Sequence, residues 1–106
     1  MITTTTFEIP GTNIEKCLGI VRGITVRVPS MVQGLSASIK TISGGKTQAF
    51  TDMCDEARKE AFNHMMEEAE ILGANAVVGV RYDTSTVVEI GTEFICYGTA
   101  VKCTTS

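Results

Sequence analysis

The chain has 106 residues, a net charge of −3 and 43% hydrophobic residues, with 6% aromatic and no Trp. That is one domain's length, here read as a single domain over 1–106, and surface scaling lets it bury about 65% of its unfolded surface, enough for one core and not two. The hydrophobicity is too high for disorder, and ten Val and ten Ile against three Leu exclude a coiled coil. An acidic chain with few rings offers neither the basic face nor the stacking platform of a nucleic-acid binder. No run approaches the ~18 apolar residues of a membrane span. Residues 1–10 lack the basic start and apolar run of a secretory signal, so the expected setting is cytoplasmic.

Residues 2–7 are Thr-rich and β-branched and predict a strand. Pro10-Gly11-Thr12-Asn13 predicts a turn. Residues 14–28 predict a long second strand, bent at Gly19 or Gly23. Its even positions (Leu18, Ile20, Arg22, Ile24, Val26 and Val28) are greasier, Arg22 excepted, than its odd ones (Cys17, Gly19, Val21, Gly23, Thr25 and Arg27). Residues 30–43 predict a short helix capped by Ser30, with Met31, Leu35, Ile39 and Ile42 on one face and Gly44-Gly45 as its stop.

Residues 47–72 carry the clearest signal. Phe50, Cys54, Ala57, Ala61, Met65, Ala69 and Leu72 recur at steps of three and four, one apolar stripe of a long helix. Thr47 or Thr51 is its expected N-cap, and Asp52, Asp55 and Glu56 suit its positive end. Asp55 and Lys59 form a favourable i,i+4 pair, and Gly73 is placed to end the helix. Seven acids and two bases give this segment a net charge of −5, against +2 for the remainder.

Residues 76–88 and 93–103 predict two further strands joined as a hairpin around Glu89-Thr92. Alternation puts Val78, Val80 and Tyr82 on one face of the first, with Val77 on the other. In the second, Phe94, Cys96 and Ala100 oppose Ile95, Tyr97 and Val101. Both faces are apolar, whereas a sheet under one helix needs only one. The second face calls for cover, and self-association is the economical source.

The chemistry-bearing residues are sparse. Gly44-Gly45-Lys46-Thr47 imitates the end of a phosphate-binding loop, but the full pattern requires glycine where Lys40 stands. What remains is an anion or small-ligand site at a helix start, set against a plain break between helices. Cys17, Cys54, Cys96 and Cys103 contain no CxxC pair and are expected as free thiols. Cys96 and Cys103 are seven apart and point to opposite faces of a regular strand. Cys54 and His64 are ten apart on the helix, about 15 Å of rise, so neither pair chelates one ion. A cysteine metal site needs distant elements, such as Cys17 with Cys96, or one thiol from each of several subunits. There is one His and no nucleophile motif, and Tyr82-Asp83 reads as a solvated strand end, so the expectation is a non-enzymatic protein.

Several segments together carry a resemblance: Cys17-Leu18-Gly19-Ile20-Val21, Gly44-Gly45-Lys46-Thr47, Ala57-Arg58 with Ala61, Leu72-Gly73-Ala74-Asn75-Ala76-Val77-Val78-Gly79-Val80, and Gly98-Thr99-Ala100-Val101. In this order they resemble the YbjQ-like family of small bacterial proteins, often labelled heavy-metal-binding and without an established function. The resemblance implies an α+β fold, a dodecin-subunit-like antiparallel sheet packed on one long helix plus a short helix, in the order β-β-α-α-β-β. It implies a homo-oligomeric ring, a pentamer, with extra strands linking subunits. By its label it implies a soft transition metal, and Cys17 is the cysteine that falls in a family segment.

Overall fold

A computed structural model of the chain describes residues 1–28, 46–87 and 91–105, leaving out the side chains of Lys46, Thr47, Phe50 and Val87. Its elements are β1 (Ile2–Thr3), β2 (Thr12–Arg27), α1 (Lys46–Ile71), β3 (Ala76–Val87) and β4 (Gly91–Thr105). The fold is α+β, with one four-stranded sheet in the order β1-β3-β4-β2. β4 runs antiparallel to both β2 and β3, and β1 joins β3 in parallel. The sheet is therefore mixed, not antiparallel throughout as expected. The expected short helix over 30–43 and its Gly44-Gly45 stop lie outside the described residues.

β1 is far shorter than the expected 2–7. Its backbone keeps bonding β3 further on, with Thr4 N–H donating to Val77 O and Gly79 N–H to Thr6 O. The threonine hydroxyls, however, turn to local partners: Thr6 Oγ1 donates to Glu8 O at 2.7 Å, and such bonds compete with a regular ladder. The predicted turn is present, closed by Thr12 N–H to Ile9 O at 3.1 Å. Pro10 followed by Gly11 at φ +81° is the type II arrangement. The β3–β4 hairpin is also as expected, with Val87 paired to Gly91.

α1 buries Ala57, Ala61, Met65 and Ala69, the centre of the predicted stripe. Small residues at these positions let the helix lie close on the sheet. The crossing is tightest at Gly23 of β2, where a Cβ would overlap the Ala61 carbonyl and come within 2.6 Å of Met65 N. Thr47 and Thr51 both lie inside the helix, so neither is its N-cap, and the first turn holds no acid. Asp52, Asp55 and Glu56 sit beyond the reach of the terminal dipole. Asp55 does pair with Lys59, at 3.3 Å. The C-terminus closes as a Schellman motif. Gly73, at φ +82°, donates its N–H to Glu70 O, and Ala74 N–H donates to Ala69 O. Leu72 falls outside the helix and is exposed.

Two apolar clusters lie on opposite faces of the sheet. Under α1 are Val21, Val77, Val80, Cys96 and Ala100 with the helix stripe, flanked by Leu18, Phe62, Met66 and Ala74. On the far face are Ala76, Val78, Val101 and Cys103, covered by Ile9 of the N-terminal segment. Val78 and Val80 thus face opposite ways, contrary to simple alternation. The reason is a register shift between Val78 and Arg81: an extra residue at Gly79, whose φ is +62°, inverts the parity of the later strand positions. β2 has similar shifts between Ile14 and Lys16 and between Cys17 and Gly19, the latter at one of the two expected bends.

β2 also presents its faces in an informative way. Its less greasy residues Val21, Gly23 and Thr25 are the ones buried under α1. Leu18 packs against the cluster under α1, but from Ile20 on the greasier residues look away from the helix, leaving Ile20 77%, Ile24 41% and Val26 46% exposed. The molecule is elongated, 56 × 26 × 16 Å, with a Cα radius of gyration of 17.2 Å against about 13 Å for a compact chain of this length.

Candidate functional site

The predicted site residues do not converge. Cys17 is exposed on β2, on the sheet face turned away from α1 and opposite Val101. It lies between the two register shifts of β2, which re-aim side chains locally. Cys103 occupies the diagonal position on β4, a placement that typically separates residues by about 7–8 Å, and it is buried. Gly44 and Gly45 lie outside the described residues. Lys46 and Thr47 are helical in backbone, at the first described turn of α1, and their side chains are outside the description.

The other thiols scatter as the spacing argument requires. Cys96 lies in the cluster under the helix and Cys103 in the cluster on the far face. The pairing of Cys17 with Cys96 is not formed, since they occupy opposite faces. All four cysteines are free thiols. His64 stands on the exposed flank of α1, its Nδ1 3.4 Å from Ile24 O. Asp83 accepts the Thr84 N–H at 2.8 Å and is exposed.

Sequence reasoning missed one arrangement. Cys96 Sγ donates to Met65 Sδ at 3.6 Å, and neither residue is exposed. Tyr82 of β3 stands opposite Cys96 in the ladder. Burial pushes the Cys96 thiol up from its ordinary value, and Tyr82 partly offsets this. The Tyr82 phenol is raised too, first by burial and then by Cys96. Tyr82 also lines a 260 Å³ cavity with Lys59, Phe62 and Asn63. Met65 is legible as part of a stripe and Cys96 as part of an apolar face; their meeting depends on how α1 lies across β4.

A family model described as "Putative heavy-metal-binding", named YbjQ, matches residues 1–104. The chain belongs to this family. A UPF0145 protein of Legionella pneumophila is 50% identical to this YbjQ chain over 101 residues, 95% of this chain and 96% of that one. A UPF0145 protein of Burkholderia thailandensis is 48% identical over 99 residues, 93% of this chain and 89% of that one. A crystal structure of a protein of unknown function from Pediococcus pentosaceus, assigned to the DUF74 family, covers 100% of this chain and 98% of its own. It does so at a TM-score of 0.56 and 16% identity, a likeness of fold.

The YbjQ description invites a test of the donors. Among the described residues no three His, Cys, Asp or Glu side chains gather as a metal site. A zinc centre of the usual kind, with three or four such ligands, is thus not formed by them within one chain. The Cys96–Met65 pair has the thiol and thioether chemistry that suits soft ions. No helix among the described residues is long and apolar enough to cross a membrane.

Proposed function

We propose that this YbjQ chain is a non-enzymatic subunit of a homo-oligomeric ring, its sheet completed by neighbouring copies. The observation that carries the reading is the sheet face turned away from α1, where among the described residues Ile20, Ile24 and Val26 stand exposed. Monomeric proteins rarely leave such a face open. The elongated shape points the same way. So do two unlike sheet edges: among the described residues β2 has no outer partner, and the outer backbone bonds of β3 to the N-terminal segment reach only to Val80. Unlike edges joining head to tail generate rings when the rotation closes. Five subunits and a dodecin-subunit-like placement of helix on sheet are what the family resemblance adds. Free thiols suit a reducing, cytoplasmic setting. The test is light scattering at micromolar concentration, with a mass near five times 11.3 kDa expected for a pentamer and dissociation on Ile24→Glu. A monomeric wild-type chain overturns the reading.

A second reading is favoured by the position of Cys17. An exposed thiol on the face that would meet a neighbour lets each subunit give one sulfur to a shared soft metal. Here Cys17→Ser abolishes zinc uptake; unchanged uptake rejects the role. The anion reading at Gly44-Gly45-Lys46-Thr47 is tested by a thermal-shift titration with inorganic phosphate, and an unmoved midpoint rejects it.

A further inference from the structure

We propose that Cys96 and Met65 form an internal site for a soft monovalent metal ion, Cu(I) being the biological instance, entered past Tyr82. The site stands apart from Cys17, on the other side of the sheet, and is independent of the ring.

Three observations carry it. The first is the donor pair, a thiol and a thioether 3.6 Å apart, from α1 and β4, elements packed on one another. Two metal–sulfur bonds of about 2.3 Å can span up to ~4.6 Å, so one ion reaches both sulfurs without moving either element far. The second is the approach. Tyr82 is 48% exposed, lines the 260 Å³ cavity beside Phe62 and Asn63, and stands opposite Cys96 across the β3–β4 ladder. A small shift of one phenol ring opens a way from solvent to sulfur. The third is charge. Met65 and Cys96 are fully buried, where an uncompensated charge is costly. A monovalent ion on one thiolate is neutral overall, whereas a divalent ion would leave a net positive charge in the core. Thiolate and thioether are the ligands that select Cu(I).

The binding step exchanges one cation for another. The Cys96 S–H bond breaks, a sulfur–copper bond forms, the thiol proton leaves to solvent, and the Met65 thioether donates a lone pair. No electron is transferred, and one proton is released for each ion bound.

The experiment is an anaerobic titration of the reduced full chain with Cu(I), in competition with a chromogenic chelator. The readouts are the near-ultraviolet thiolate-to-copper band and tyrosine fluorescence in a Tyr97→Phe background, where Tyr82 is the sole emitter because the chain has two Tyr and no Trp. One ion per chain is expected, with Tyr82 emission quenched as it binds. Cys17→Ser should bind as wild type does, which separates this site from the interface reading. Met65→Leu keeps the side-chain volume and the fold, and should weaken binding at least tenfold; Cys96→Ser should abolish the band. Wild-type affinity in Met65→Leu, a band that follows Cys17 instead of Cys96, or no binding to the wild-type chain overturns the proposal.

Discussion

The carboxamide of Asn75 holds both backbone groups of Cys103. Its Nδ2 donates to Cys103 O at 2.8 Å, and its Oδ1 accepts the Cys103 N–H at 2.9 Å. A side chain just ahead of β3 thus extends the ladder along β4, beyond the Ala76–Val101 pair. This gives the Leu72-to-Val80 segment a structural reason: Gly73 turns the chain out of the helix, and Asn75 locks its entry into the sheet.

Asn75→Ala should cost about 1–3 kcal/mol, the loss of two hydrogen bonds at a strand terminus. Asn75→Asp should cost at least as much, because a carboxylate would then face the Cys103 carbonyl oxygen. Urea midpoints of the three proteins check this, and an unchanged midpoint for Asn75→Ala would show the two bonds to be replaceable by water.

Gly23→Ala tests the helix crossing. A Cβ there meets Ala61 O, Met65 N and His64 Cβ, two of them backbone atoms that cannot swing aside. Overpacking of this kind costs about 1–3 kcal/mol. Denaturant unfolding followed by far-ultraviolet circular dichroism measures the loss; stability equal to wild type would mean that α1 does not approach β2 so closely.

Alkaline pH should weaken the fold through Cys96 and Tyr82. Both are raised above their ordinary values in the folded chain, with burial the first cause. Folding therefore favours the neutral forms. The contribution is complete below the unfolded-state values, and is lost as pH rises from there through the folded-state values. Stability measured from pH 7 upward should begin to fall near the ordinary thiol value, about 8.5. Cys96→Ala should flatten the first part of that decline, and Tyr82→Phe the later part. A decline of the same slope in all three proteins would place its origin elsewhere.

Local signals are legible wherever a local cause acts. The stripe of Ala57, Ala61, Met65 and Ala69, the Gly73 cap, the Pro10-Gly11 turn and the hairpin strands all rest on spacing or on φ restrictions within a few residues. The start of α1 is not legible in this way, because Thr47 and Thr51 resemble caps while the helix already includes them. Nor is the facing of Val78 and Val80, because one extra residue at Gly79 inverts the alternation and no composition rule announces a bulge there. The length of β1 escapes too, since threonine's β preference competes with its own hydroxyl bonds.

By itself the amino-acid sequence determined one α+β domain, its long acidic helix, the order of its strands along the chain and its membership of a family. These rest on periodicity, turn residues and motif order, which act over short separations. Tertiary structure alone decided that β1 adds in parallel, that β2 buries its poorer face beneath the helix and leaves its richer one open, and that Met65 and Cys96 meet while Cys17 stands away from both. Register and helix crossing couple residues dozens of positions apart, and which face of a strand is covered depends on what packs there, not on which face is greasier.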